Sequence, residues 1–247
     1  MLAGLLLLAL PGANATGFSA DAAAPDGVGV ATFAGGCFWC MEPPFDALEG
    51  VISTASGYTG GHLEDPSCEQ VVTGRTGHYE VVQVVYDPAV VSYERLLHVY
   101  WRNIDLLDAG GQFCDRGEPY RTAVLHHDDE QRRLAEAALQ RKTERFETGI
   151  ATRILPAATF YEAEGYHQDH YRKNPIRYRY YRFTCGRDAR LRELWGDEAG
   201  GCGSRRHPER WQWATDARGY APKRLGVPLI FRDVRVLPWL SFVVTAG

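Results

Sequence analysis

Long apolar runs and a surplus of either charge are both missing from this sequence. No apolar stretch reaches the roughly 18 residues that a membrane-spanning helix needs, so we expect no membrane partner. The formal net charge of the 247 residues is −4, which provides no general basic surface and no support for a nucleic-acid partner. Hydrophobic residues make up 45% and charged residues 23%, as in ordinary globular proteins, and the length is sufficient for one substantial core.

Cysteine is sparse as well. A small disulfide scaffold would need a higher density, and a structural zinc site would favour two closely spaced pairs. Only Cys37 and Cys40 have that spacing, so we expect no metal. His167 and His170 form another pair, but no third ligand accompanies them, and local hydrogen bonding is the simpler expectation. The six cysteines are Cys37, Cys40, Cys68, Cys114, Cys185 and Cys202.

The N-terminus has the pattern of a secretory signal peptide. A short apolar segment at 2–10 precedes a proline and then Ala13-Asn14-Ala15, an A-x-A cleavage pattern. We therefore predict a signal peptide at 1–15, a flexible spacer at 16–27, and export to the periplasm or the extracellular space. The basic region that usually begins such a segment is missing, so a mis-set start and a cytoplasmic location remain the alternative.

The middle of the chain alternates strand and helix patterns. Alternating or β-branched residues predict strands at 28–34, 51–56, 81–86, 122–125 and 151–155. Helices are expected at 37–48, 92–102 and 128–146. Ser92 and the pair of Asp128 with Gln131 are suited to cap the second and third of these helices. After residue 156 the periodicity is weak, so the pattern predicts an α/β (α+β) two-layer sandwich with long irregular C-terminal segments.

The stretch AGGCFWCMEPPF at 34–45 carries the most specific chemistry. Cys37 follows a strand and two glycines and stands where a helix begins. Free backbone N–H groups and the helix dipole both favour a thiolate at such a position. Pro43 and Pro44 limit the helix, which must be short, bent or restarted. For an isolated cysteine, a buried structural role would be the ordinary interpretation.

The motif GCFWCMEPPF resembles the signature of the peptide methionine sulfoxide reductase A family. Further blocks resemble this family and occur in its order, from 28 to about 196, which we take as the catalytic domain. The segment at 197–247 matches no pattern and is left as an uncharacterised tail. The blocks are GYTGG (57–61), TGHYE (76–80), VVYDP (84–88), GQFCDRGEPYR (111–121), FYEAEGYHQDHY (160–171) and KNP (173–175).

The resemblance implies a ferredoxin-like mixed sheet and a thiol-dependent reduction of methionine S-sulfoxide, free and in proteins. Cys37 would attack the sulfoxide sulfur and become a sulfenic acid, which a second cysteine converts to an intramolecular disulfide. Thioredoxin or another dithiol would then reduce that disulfide. The family's role is the repair of oxidised proteins, without a bound cofactor, and we expect a monomer.

The resemblance also assigns the residues around Cys37. Glu80 in TGHYE takes the position of the general acid, and burial would raise its pKa and keep it protonated. Asp115 and Tyr120 match positions that hydrogen-bond around the sulfoxide oxygen. Phe38 and Trp39 would form the apolar wall for the S-methyl group. Taken singly, Glu80 would be interpreted as an exposed carboxylate at a strand end. Asp115 and Tyr120 would be interpreted as loop capping and core packing, and Phe38 and Trp39 as core packing.

The resolving cysteine is left open by the sequence. Cys185, in a weakly periodic segment that could swing toward Cys37, is the first candidate. Cys40 is the second, because a CxxC pair at a helix start can form a disulfide. Cys114 and Cys68 lie on expected site loops. Cys68 also stands where the family usually has a tyrosine, and a thiol is a weaker hydrogen-bond donor than a hydroxyl.

Two other functions compete with the reductase. A thioredoxin-like disulfide oxidoreductase would also use a CxxC, but it would need a helix that runs cleanly from the motif, and Pro43 and Pro44 oppose that. A degenerate protein that binds methionine sulfoxide without reducing it would not need both Cys37 and Glu80. Both alternatives are therefore less favoured than the reductase.

Overall fold

The computed structural model describes residues 27–147 and 149–200. The predicted signal peptide, nearly all of the spacer, most of the tail and Cys202 lie outside the described residues. Within them, no helix is long and apolar enough to cross a membrane.

The centre of the fold is a mixed sheet of six strands. Their order is β7-β6-β1-β3-β2-β8, in which β6 and β7 are parallel and the other neighbours are antiparallel. A separate two-stranded hairpin, β4 with β5, lies in the loop before β6. The strands are β1 (Gly29–Gly35), β2 (Val51–Thr59), β3 (Tyr79–Tyr86), β4 (Gly111–Gln112), β5 (Asp115–Arg116), β6 (Thr122–His126), β7 (Arg153–Pro156) and β8 (Tyr161–Glu162).

Seven α-helices accompany this sheet in the described residues. The predicted helices appear as α1, α3 and α4, and four others are present that the sequence pattern did not reveal. The helices are α1 (Phe38–Asp46), α2 (Cys68–Val71), α3 (Tyr93–Arg102), α4 (Asp129–Phe146), α5 (His170–Lys173), α6 (Pro175–Thr184) and α7 (Arg187–Trp195). The α1 helix is short, as predicted, and it contains Pro43 and Pro44 within its nine residues.

The side-chain alternation of the strands divides the core between the two faces of the sheet. On β1, Phe33 belongs to the main core beneath the helices, whereas Ala34 belongs to a smaller cluster on the opposite face. Phe33 stacks on Phe45 of α1 at 5.1 Å and on Tyr100 of α3 at 5.1 Å between ring centroids. One aromatic side chain therefore holds two helices on the strand that leads to Cys37.

Both expected N-caps are present, but the Gln131 side chain accepts the backbone N–H of His127 rather than that of Asp128, so the expected capping box is not closed. The Ser92 side chain accepts a hydrogen bond from the backbone N–H of Arg95 at the start of α3. The Asp128 side chain accepts one from the N–H of Gln131 at the start of α4. Such caps satisfy N–H groups that a helix cannot pair internally, and each contributes about 1 kcal/mol.

Candidate active site

Cys37 lies in the tight turn between β1 and α1, at the N-cap position of the helix. The turn requires Gly36, which has φ +78° and would place a Cβ 2.5 Å from the Cβ of Gln112. Cys37 is buried, with 7% of the residue's surface exposed. The sequence AGGC thus buries a thiol at a helix start, with a backbone that only glycine permits beside it.

Glu80 is on β3, where it stands opposite Tyr58 of β2. Its Oε2 accepts the backbone N–H of Phe38, the first residue of α1, at 3.2 Å. The Glu80 residue is 4% exposed, and burial raises its pKa to about 8, against the smaller lowering effect of the Phe38 hydrogen bond. Glu80 is therefore mostly protonated at neutral pH. It is hydrogen-bonded to the backbone of the residue that follows Cys37.

Cys40 lies one turn along α1 from Cys37, and the two thiols share a hydrogen bond. Burial, the Cys40 hydrogen bond and the Glu80 charge raise the pKa of Cys37. The hydrogen bond from Cys37 is the largest cause that lowers the pKa of Cys40, to about 6, and the cationic Arg187 and Arg182 lower it further. The two thiols therefore titrate as one pair, whose thiolate is stabilised by the hydrogen bond between them and by the two arginines.

Burial of Cys37 opposes the ionisation that was expected at the start of the helix. The physical reason is desolvation, because a thiolate at a site this deeply buried loses more hydration than the first turn of α1 returns. Cys37 can pass its proton to a neighbouring group, and Cys40 is in hydrogen-bonding contact with it.

Phe38 and Trp39 occupy different environments. Phe38 is almost fully buried, 5.9 Å from the Tyr58 ring and 4.9 Å from the His167 ring between centroids. Trp39 is half-buried, donates its Nε1–H to His167 Nδ1 at 3.0 Å, and stacks on His170 at 3.7 Å. Both histidines thus hold the aromatic pair, and Trp39 is the one that still presents surface to a substrate.

Asp115 and Tyr120 both approach the thiol pair from the loop after α3. Asp115 accepts a hydrogen bond from the hydroxyl of Tyr181. Tyr120 is half-buried, and burial first, then the charges of Glu80 and Cys37, raise the pKa of its hydroxyl. The structure therefore gathers the predicted residues Cys37, Glu80, Asp115 and Tyr120 around one point.

Cys185 is disulfide-bonded to Cys114, with 4.8 Å between their Cα atoms. Cys40 is the candidate resolving cysteine that contacts Cys37, whereas Cys185 pairs with the loop that carries Asp115. Cys68 is free and half-buried, and its thiol hydrogen-bonds to the hydroxyls of Tyr58 and Tyr166.

Two site residues were missed by the sequence analysis. The hydroxyl of Tyr181, on α6, hydrogen-bonds to both Asp115 and Cys37. Arg187 opens α7 and is 1% exposed, and its Nη2 donates to the carbonyls of Gly35 and Asn103 and to Met41 Sδ. These acceptors are uncharged, so the positive charge also acts on Cys40. Nothing in YRYYRFTCGRD distinguished one tyrosine or arginine from its neighbours.

The described residues contain one cluster with the composition of a metal site, but two of its three residues are joined by a disulfide bond. The ligand atoms of Cys114, Asp115 and Cys185 lie within 4.8 Å of one another. The two sulfurs are joined as a disulfide, so they offer no thiolates for a metal.

The comparisons with known proteins agree on one family. A family model described as peptide methionine sulfoxide reductase matches residues 29–199. The peptide methionine sulfoxide reductase MsrA of Bacillus licheniformis is 53% identical over 169 residues, which cover 68% of this chain and 93% of that protein. The protein of the same name from Bacillus subtilis is also 53% identical over 169 residues, which cover 68% of this chain and 96% of that protein.

Solved structures agree with this result. The reduced form of Mxr1 from Saccharomyces cerevisiae is similar with a TM-score of 0.59 and 30% identity, over 62% of this chain and 89% of that chain. The methionine sulfoxide reductase A of Corynebacterium diphtheriae has a TM-score of 0.56 and 30% identity, over 62% and 77% of the two chains. The predicted fold class is confirmed. This chain therefore belongs to the peptide methionine sulfoxide reductase family.

Proposed function

We propose that this protein reduces methionine S-sulfoxide, free and in proteins, and thereby repairs oxidised proteins. The observation that carries the proposal is the hydrogen bond from the Phe38 N–H to Glu80, which holds a protonated carboxyl beside the Cys37 turn. Reduction of a sulfoxide needs a nucleophile for sulfur and an acid for oxygen, and these two groups supply both.

In the first step, the substrate's S-methyl group packs against Trp39 and its oxygen faces Glu80 and Tyr120. The Cys40 thiolate takes the proton from Cys37, whose sulfur attacks the sulfoxide sulfur while Glu80 protonates the oxygen. The oxygen then passes to the Cys37 sulfur as two bonds break, the S–O bond of the substrate and the new bond between the two sulfurs, and methionine leaves. The products are a Cys37 sulfenic acid, a Cys40 thiol and an ionised Glu80.

In the second step, Cys40 resolves the sulfenic acid. Its sulfur bonds to the Cys37 sulfur, and the hydroxyl leaves as water with the Cys40 proton. The shared hydrogen bond between the two thiols supports Cys40 for this role, and Cys185 is already bonded to Cys114. An external dithiol of the thioredoxin kind then reduces the Cys37–Cys40 disulfide.

The surroundings in which this cycle operates are also part of the proposal. The apolar segment at 2–10 and the A-x-A pattern support export, so the dithiol would belong to a periplasmic or extracellular system. We further propose that the protein acts as a monomer, since every group used in the two steps comes from one chain.

A thiol count tests the proposal directly. Protein freed of reductant is mixed with one equivalent of methionine S-sulfoxide, and thiols and methionine are measured. One methionine should form for every two thiols lost, with Cys37 and Cys40 joined in the peptide map. A protein that only binds the sulfoxide would lose no thiols, and that result would refute the reductase.

A further inference from the structure

The disulfide between Cys114 and Cys185 joins the two segments that bring Asp115 and Tyr181 together. We propose that this disulfide is a clamp that positions the Tyr181 hydroxyl against Cys37, through Asp115. The proposal rests on the reductase function above, and it assigns a role to a cysteine pair that the two proposed steps do not use.

On one side, Cys114 belongs to the tip of the β4–β5 hairpin. The base of the hairpin is held by Gln112, whose side chain exchanges hydrogen bonds with the backbone N–H and carbonyl of Asp105. The tip is Phe113 and Cys114, and Phe113 has φ +57°, a conformation that few residues with side chains adopt. An exposed turn of this kind needs a further restraint to keep the next residue, Asp115, in one place.

On the other side, Cys185 is the C-cap residue of α6, one helical turn after Tyr181. Residues four apart lie on the same face of a helix, so the sulfur of Cys185 and the ring of Tyr181 point the same way. The disulfide therefore crosses between the hairpin and α6 next to the Tyr181–Asp115 hydrogen bond. Arg187, just after Cys185, adds a second contact, since its guanidinium lies 4.4 Å from the centre of the Phe113 ring.

The hydrogen bonds explain what the clamp does for the reaction. The Tyr181 hydroxyl donates its one proton to Asp115, so its oxygen can only accept at Cys37. If Asp115 moves away, the hydroxyl is free to turn, and the Cys37 thiol loses the acceptor that orients its S–H. The clamp therefore holds the Cys37 sulfur in the orientation in which it reacts, and Tyr181→Phe removes the same orienting group.

The clamp is also open to reduction. Cys114 is exposed, whereas Cys37 and Cys40 are buried. A dithiol can transfer two electrons and two protons to the Cys114–Cys185 bond, which becomes two thiols while the dithiol becomes a disulfide. The positioning of Tyr181 is therefore sensitive to the reductant that drives the catalytic cycle.

The test measures single turnover without added reductant. Alkylation of a separate sample first verifies that Cys37 and Cys40 are free and that the clamp disulfide is intact. The rate of methionine release is compared between wild type and a variant with Cys114→Ala and Cys185→Ala. We expect a loss of about ten- to a hundredfold, the scale of a small misplacement in an active site. The pH dependence of Cys37 alkylation should shift in the same variant.

Tyr181→Phe separates positioning from general stability. If the clamp acts through this hydroxyl, Tyr181→Phe alone should slow methionine release, and adding the two alanine substitutions should slow it no further. Additive losses would overturn the proposal, because they would show that the disulfide acts elsewhere. Fully reduced wild type, freed of reductant, should release methionine as slowly as the double alanine variant. This measurement tests the clamp even if the double alanine variant does not fold.

A different role for the disulfide has a different signature. If Cys114 and Cys185 only passed electrons from a protein dithiol to the catalytic pair, single turnover would be unchanged and only repeated turnover would fall. That result would overturn the clamp and leave the reductase function standing. Absence of methionine release from wild type would instead refute the reductase itself.

Discussion

Replacing Glu80 with Gln separates the chemistry of the site from its stability. Burial raises the pKa of Glu80 from about 4.5 to about 8. The stability that the bound proton contributes is complete below pH 4.5. It is lost as the pH rises toward 8, because the unfolded chain ionises Glu80 while the folded protein keeps it protonated. Between pH 4.5 and pH 7, the free energy of unfolding falls by about 3 kcal/mol for this reason. Gln has no charge to bury and can still accept the Phe38 N–H.

We therefore expect Glu80→Gln to be more stable than wild type by up to about 3 kcal/mol at pH 7, and to gain little at pH 4.5. The same variant lacks the acid for the sulfoxide oxygen, so turnover should fall about 10²- to 10⁴-fold. In wild type, turnover should decline above pH 8 as Glu80 ionises. Urea unfolding at the two pH values, with turnover measured on the same samples, checks all three expectations.

Glu42→Gln is the matched control. Glu42 is also a buried carboxyl, with a pKa raised to about 7 by burial, but its Oε1 accepts a hydrogen bond from Ser56 rather than from the Cys37 turn. It should gain stability at neutral pH while turnover stays within about threefold of wild type. Equal turnover in Glu80→Gln and wild type, or a loss of stability in that variant at pH 7, would refute the reasoning.

Two further predictions concern Cys40. Cys40→Ser should release one methionine and leave a Cys37 sulfenic acid that dimedone labels in a mass spectrum; a disulfide from Cys37 to another cysteine would identify a different resolving residue. Arg187→Met removes a buried cation near Cys40, so the midpoint pH of Cys40 alkylation should rise from about 6 by about one unit. The control is Arg192→Met, on the exposed face of α7, which should leave this midpoint unchanged.

Much of the fold and part of the site could be predicted because their determinants are local or occur in recognisable blocks. Alternating residues predicted β1 and a run of β-branched residues predicted β3, and Ser92 and Asp128 predicted the starts of α3 and α4. The ordered blocks led to Cys37 and to its neighbours in the site.

The remaining features depend on tertiary contacts that a sequence pattern does not encode. The α6 and α7 helices have weak periodicity because they bury charged residues such as Arg182 and Arg187 among their apolar ones. The pairing of Cys114 with Cys185 joins positions 71 residues apart, and spacing alone allowed several partners. The pKa of Cys37 depends on how deeply the turn is buried, which composition and motif do not reveal.

The central claim is that Cys37 reduces the S epimer of methionine sulfoxide. The most direct test is turnover of the separate S and R epimers with dithiothreitol, for wild type and for Cys37→Ser. The account predicts that wild type converts the S epimer alone and that the Cys37→Ser variant converts neither. Turnover of the S epimer by folded Cys37→Ser, or no turnover of either epimer by folded wild type, would contradict it.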